Sequence, residues 1–156
     1  MNIPDMFFLD NKLYEKIKII NSEDVVVAFD YEEGNRVWLP RKYVRKNLER
    51  AYSVSATANI LNIRKSTLDK LINKQLVQSP AIRYNVDTLL VRGLYFPASS
   101  LYEIRDAVWE FIPKNKYGEP FKDTLVSEDD LTAKLHSSNE NNFAIRDGEI
   151  IQVFTV

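Results

Sequence analysis

Eight side chains between residues 64 and 74 have the chemical types and the spacing needed to contact a nucleic acid. They are Arg64, Lys65, Ser66, Thr67, Asp69, Lys70, Asn73 and Lys74. Leu68, Leu71 and Ile72 recur among them at helical spacing, so a helix here would bury one face and expose the polar one. Guanidinium, ammonium, hydroxyl and amide groups form most hydrogen bonds to phosphates and base edges. The segment therefore predicts a helix able to contact DNA.

A second short helix is predicted just before it. Val54, Ala58 and Leu61 form one apolar stripe, and Ala58 is small enough to let another helix cross closely. Asn62 suits the left-handed backbone that a sharp turn between two helices requires. Two short helices joined in this way indicate a helix-turn-helix.

The segments that follow predict a hairpin and a closing helix. The runs 81–86 and 89–96 have strand-like patterns, are joined around Asp87-Thr88, and carry Arg83 and Arg92. A helical pattern then runs over residues 100–111. A hairpin added to a helix-turn-helix predicts a winged domain over residues 51–113.

These residues resemble the winged helix-turn-helix of MerR-type regulators and phage excisionases over about residues 52–111. The matching positions are Tyr52-Ser53-Val54-Ser55, Ala58, Leu61-Asn62-Ile63, Thr67-Leu68, Leu71-Ile72, Arg92, Tyr95-Phe96-Pro97 and Ser100-Leu101. Asn62 stands where the family prefers Gly, and Arg92 departs from the family's arginine–tyrosine spacing for a phosphate contact. Pro113 ends the last helix before a long dimerisation helix could form. The resemblance therefore favours a small phage regulator or an excisionase-like factor.

The resemblance implies that the second helix enters the major groove. Arg64 and Lys65 would then contact guanine, Ser66 a base or a phosphate, and Asp69 the amino group of cytosine. Contacts to phosphates, or to the adjacent minor groove, are expected from the remaining side chains. These are Lys70, Asn73 and Lys74 on the helix and Arg83 and Arg92 on the wing.

A basic helix is also predicted near the start of the chain. Residues 41–50 follow Pro40, and their cations Arg41, Lys42, Arg45 and Lys46 share one half of the helical wheel. Two interpretations stay open, namely a phosphate clamp and the solvated face of a packing helix.

The two ends of the chain predict β structure. Residues 7–39 indicate a three-stranded antiparallel meander, so residues 1–50 form a first segment with the basic helix. Residues 114–156 form an acidic segment with a helix over 127–135 and a hairpin over 143–154. We expect its apolar strand 150–154 to join the N-terminal sheet or, as the alternative, another subunit. The predicted class is α+β, with a winged core and a small antiparallel module built from both termini.

Charge is unevenly distributed along the chain, although the net charge is only −1. Residues 35–76 hold ten Lys or Arg and two Asp or Glu, while both termini are acidic. Such a concentration of positive charge is typical of a surface for a polyanion, or for the acidic ends of the same chain.

Several kinds of chemistry are not expected. The chain has no Cys, a single histidine at His136, and four Gly that form no phosphate-binding loop. We therefore predict no enzyme activity, no cofactor and no metal site. No apolar run is long enough to span a membrane, so a cytoplasmic protein is expected. The aromatic residues Phe7, Phe8, Trp38, Tyr43 and Trp109 are expected in the core and not as stacking platforms.

Two functions remain open. The first is a sequence-specific double-stranded DNA-binding protein, a transcriptional regulator or an excisionase-like factor, acting as a monomer or a homodimer. The alternative is a phage assembly or packaging component, similar to a small terminase subunit, that reuses the winged fold for a protein partner. The acidic terminal segments would suit a basic protein partner, and the many Asn and Lys residues hint at an AT-rich phage or host genome.

Overall fold

Seven strands form one antiparallel sheet in the order β4-β3-β2-β1-β5-β7-β6. The computed structural model describes residues 2–112, 125–140, 143–146 and 149–152. The strands of this sheet are β1 Met6–Leu9, β2 Lys12–Ile20, β3 Val25–Asp30, β4 Asn35–Pro40, β5 Glu49–Ser53, β6 Ala81–Tyr84 and β7 Val91–Pro97. The helices are α1 Arg41–Asn47, α2 Val54–Leu61, α3 Lys65–Asn73, α4 Ser100–Phe111 and α5 Glu128–Glu140. The predicted α+β class is confirmed.

The chain divides into two compact units. The first contains residues 1–51 and 80–98, and the second contains residues 52–79 and 99–156. The hairpin predicted as a wing thus lies in the unit of the N-terminal strands, whereas the helix pair predicted to carry it lies in the other unit.

Two tight turns set the register of the first unit. The predicted meander is confirmed as β2, β3 and β4, and Gly34 adopts a φ of +75° in the turn between β3 and β4. Asp10 and Asn11 join β1 to β2, and both have positive φ values, +51° and +65°. Two left-handed residues are what a type I′ hairpin turn requires, and this turn pairs Leu9 directly with Lys12.

The sheet buries apolar side chains on both faces. Phe7, Leu9 and Val26 pack on one face with Val44 of α1. The other face buries a second cluster, which comprises Phe8, Leu13, Tyr31 and Ala51 with Ala81, Tyr84 and Tyr95 of the β6–β7 hairpin packed against it. Because the hairpin covers this cluster, it is an integral part of the sheet.

The basic helix is shorter than predicted. α1 ends at Asn47, and Glu49 and Arg50 instead pair with Phe8 and Phe7 as part of β5. The prediction of a helix to residue 50 is therefore wrong, because strand pairing with β1 takes up the last residues.

The second unit is built on α2 and α3. The hydroxyl of Ser53 accepts a hydrogen bond from the Ala56 amide and caps α2, which Asn62 ends at a φ of +60°. The Ile63 amide then donates to the Ala58 carbonyl over 3.0 Å, a pattern typical of a helix that stops at a left-handed residue. The core of this unit is Leu61, Leu68, Leu71, Leu101, Ile104 and Val108.

The acidic segment packs within the second unit. The hydroxyl of Ser127 accepts from the Asp130 amide and caps α5, as predicted, but the helix runs to Glu140 and so past residue 135. Leu131 is fully buried, and the Lys134 ammonium donates to the Ile60 carbonyl in the last turn of α2. A positive group at this end of a helix interacts favourably with the helix dipole.

The C-terminal hairpin is confirmed, but its expected place is wrong. β8 Phe143–Arg146 and β9 Glu149–Gln152 pair with each other in a separate two-stranded sheet. In the described part of the chain, the termini do not share a sheet, so the expected module of N- and C-terminal strands is not formed. The connecting residues 147–148 and the end of the predicted strand, 153–154, lie outside the described residues. Among the described helices, none has both the length and the apolar character needed to cross a membrane.

Candidate nucleic-acid interface

The start of α3 exposes three of the predicted base-contacting residues. Arg64 is the N-cap residue with an extended backbone, and Lys65 and Ser66 form the first turn. All three are exposed, whereas Leu68 and Leu71 on the opposite face are fully buried. The buried leucines therefore fix the orientation of the helix while its polar end stays open to solvent.

The remaining polar residues of α3 differ in their exposure to solvent. Thr67 and Asp69 are half-buried, while Lys70 and Asn73 are exposed. Lys74 is also exposed, but its ammonium lies 5.3 Å from the centroid of the Phe111 ring, a cation–π contact within the same unit. The structure thus brings all eight predicted residues onto one helix and its caps, and Lys74 has a structural role besides any contact to phosphate.

The cations of α1 lie in the first unit. Lys42, Arg45 and Lys46 are exposed along this helix. Arg41 is half-buried, and its guanidinium donates to the Asn21 side chain over 2.8 Å. Three of the four predicted clamp residues are thus available for a ligand, and Arg41 serves to tie α1 to the turn before β3.

Arg83 is engaged in an ion pair within its own unit. Its guanidinium donates from Nε and Nη2 to both carboxylate oxygens of Glu15, over 3.1 and 3.2 Å. The Tyr31 hydroxyl donates to the same carboxylate over 2.6 Å, and burial together with this hydrogen bond raises the pKa of Tyr31 to about 12. These bonds hold the hairpin against β2, and the expected contact of Arg83 to DNA stays a prediction. Arg92 on β7 is exposed, and its expected contact to DNA also stays a prediction.

The prediction that the aromatic residues are buried is confirmed for Phe7 and Phe8 and wrong for Trp38. Trp38 is 61% exposed, because it lies on the edge strand β4 and faces away from Val37 and Leu39, which pack on the core. The sequence pattern indicates this exposure, because a strand directs successive side chains to opposite faces and Trp38 stands between Val37 and Leu39. Trp109 is half-buried, and Tyr43 is exposed with its hydroxyl donating to Asp10.

A cluster of exposed apolar side chains was missed in the sequence. We call it the hairpin tip, and it comprises Val86, Leu89, Leu90 and Val91 at the turn between β6 and β7. The sequence signal was the Leu89-Leu90 pair beside a predicted turn, a place where polar residues are usual.

Within the described residues, no three His, Asp or Glu side chains are grouped in the way that a metal ion requires. Comparisons with protein-family models, with curated proteins and with solved structures found no match.

Proposed function

We propose that the protein binds a specific double-stranded DNA sequence with α3 in the major groove, as a transcriptional regulator or an excisionase-like factor. The observation that carries the proposal is the exposure of Arg64, Lys65 and Ser66 at the start of α3, opposite the buried Leu68 and Leu71. A reading helix needs this combination, because base discrimination depends on side chains held in one position.

The local geometry supports insertion of α3 into the groove. An α-helix with its side chains is about 10–12 Å in diameter, close to the major-groove width of about 12 Å. The left-handed Asn62 makes the connection from α2 short, as in a helix-turn-helix.

The test is selection of bound duplexes from a random library at about 150 mM salt. Wild type is compared with an Arg64→Ala, Lys65→Ala variant and with a Lys42→Ala, Lys46→Ala variant, which loses the same charge from α1. We expect wild type and the α1 variant to enrich one motif and the α3 variant to lose it. Absence of an enriched motif in wild type would contradict sequence-specific reading.

The salt dependence of affinity gives an independent measurement. If about five phosphates are neutralised, a plot of log affinity against log salt should fall with a slope of about −4 to −5. We expect this slope for the selected duplex, and a slope near zero would contradict DNA binding altogether.

A second candidate function is supported by the hairpin tip. A component of a phage assembly or packaging complex, similar to a small terminase subunit, would use exposed apolar side chains for a protein partner. The exposed carboxylates of Glu128, Asp129 and Asp130 on α5 would suit a basic partner. Light scattering separates the two candidates, because a packaging component is expected as a ring and a regulator as a monomer or a dimer.

A further inference from the structure

The hairpin tip exposes four large apolar side chains to solvent. Val86, Leu89, Leu90 and Val91 are 57%, 71%, 69% and 62% exposed. Single apolar residues on a surface are ordinary, but contiguous ones mark interaction sites. The tip is therefore a candidate contact surface.

The backbone of the tip is held in one conformation by its own hydrogen bonds. The Asn85 side-chain oxygen accepts from the amides of Asp87 and Thr88, over 2.9 and 3.1 Å. The Asn85 amide donates to the Leu90 carbonyl and the Leu89 amide to the Asn85 carbonyl, each over 2.8 Å. A partner can thus bind the tip without first ordering it, which lowers the entropic cost of association.

Leu89 occupies a backbone region that disfavours its side chain. Its φ is +61°, the left-handed conformation for which Gly and Asn are the usual residues. Because Leu89 is 71% exposed, packing within this chain offsets little of the energy that the left-handed backbone costs. A bulky side chain held at this position points to a contact outside the chain.

The charges beside the tip indicate which partner fits. Asp87 lies between Val86 and Leu89, and Arg92 directly follows Val91. Both are exposed, and neither has an ion-pair partner in the described part of the chain. Their opposite signs leave the tip without net charge. In an interface between two copies related by a twofold axis, the same surface meets itself, so Asp87 of one copy can pair with Arg92 of the other.

We propose that the hairpin tip is a homodimerisation surface, in which Leu89 and Leu90 of two copies pack together between two Asp87–Arg92 ion pairs. This proposal does not depend on DNA binding. It requires only that the complete chain associate with itself in the absence of any other molecule.

The first experiment is analytical ultracentrifugation of the complete chain without DNA, from about 1 to about 100 µM. We expect wild type to form dimers and a Leu89→Gly, Leu90→Ser variant to show at least tenfold weaker association. Glycine relieves the backbone at residue 89, so the melting temperature of the variant measured at low concentration should not fall. Trp38→Ala removes another exposed apolar side chain of the same unit and should associate as wild type does.

The second experiment reverses the two charges. Asp87→Arg makes the tip positive on both sides, and Arg92→Asp makes it negative on both sides. Each variant alone should associate at least tenfold more weakly than wild type, and a 1:1 mixture of the two should recover dimers. The proposal is overturned if wild type stays monomeric throughout, if Leu89→Gly, Leu90→Ser dimerises as wild type does, or if the mixture remains as weak as its components.

Discussion

Asn62 sets the direction of the helix that we propose to read DNA. Its φ of +60° ends α2 and lets α3 begin at Lys65 after only two further residues. Asn and Gly accept this conformation, whereas a β-branched residue meets a steric penalty there. One backbone angle thus determines where Arg64 and Lys65 project.

Substitution of Asn62 tests this role. Asn62→Gly should leave the free energy of unfolding within about 0.5 kcal/mol, while Asn62→Val should lower it by about 1–2 kcal/mol. Urea denaturation followed by circular dichroism measures both. Equal midpoints for Gly and Val would show that the turn does not depend on the left-handed conformation.

Arg83 and Arg92 lie on the same hairpin and should respond differently to mutation. Arg83→Ala leaves the half-buried Glu15 carboxylate with fewer donors and should lower the free energy of unfolding by about 1–3 kcal/mol. Arg92→Ala is the matched control, because it removes the same group from an exposed position. We expect it to change stability by under about 0.5 kcal/mol.

Tyr31 makes stability depend on pH in the alkaline range. Its pKa is raised from 10.0 to about 12 in the folded chain, so the unfolded chain loses this proton first as pH rises. The contribution is complete below pH 10 and is lost as pH rises toward 12, by at most about 1.4 kcal/mol per pH unit. Tyr31→Phe should show a shallower loss of stability between these pH values, measured by urea denaturation. Parallel curves for the two proteins would contradict the assignment.

At the scale of elements, α5 is a structural part of the unit that contains α3. Leu131 is fully buried, the Val126 amide donates to the Leu61 carbonyl over 3.2 Å, and Lys134 binds the Ile60 carbonyl. The end of α2, from which the turn at Asn62 begins, is thus contacted twice by the acidic segment. An acidic tail that served only to bind another molecule would make none of these contacts within the chain.

Truncation of Leu131 measures this contribution. Leu131→Ala should lower the free energy of unfolding by about 2–5 kcal/mol, because it removes a fully buried side chain. Ala133→Ser, on the exposed face of the same helix, is the control and should change it by under about 0.5 kcal/mol. If both variants unfold at the same urea concentration, α5 is not part of the core.

Local patterns predicted most of these elements. Alternation identified β2, β3 and β4, the apolar stripes identified α2, α3 and α4, and Asn62 marked the turn. Each of these signals acts over a few residues along the chain. The start of α3 was predicted in the same way, because the exposed face of an amphipathic helix follows directly from its spacing.

Long-range pairing could not be predicted from those patterns. The contact between Arg83 and Glu15 joins residues 68 positions apart, and nothing local to either residue indicates the other. The pairing of β5 with β1 and the place of the C-terminal hairpin are of the same kind. For this reason the sequence alone does not indicate that the partly exposed Arg83 guanidinium pairs with Glu15.

At the scale of the whole molecule, the two proposals together predict the form of the DNA site. A dimer formed through the hairpin tip contains two copies of α3, so the selected motif should contain two half-sites. The Leu89→Gly, Leu90→Ser variant should select one half-site only. The same two-part motif from a monomeric variant would show that DNA binding does not use this dimer.

The division into units has a consequence for synthesis of the chain. Residues 1–51 and 80–98 build one unit, and residues 52–79 between them belong to the other. During translation, the N-terminal strands therefore leave the ribosome well before the hairpin that covers Phe8 and Leu13. The sheet cannot be completed until residue 98 has emerged, and during that interval a chaperone that binds apolar strands would have access to its uncovered face.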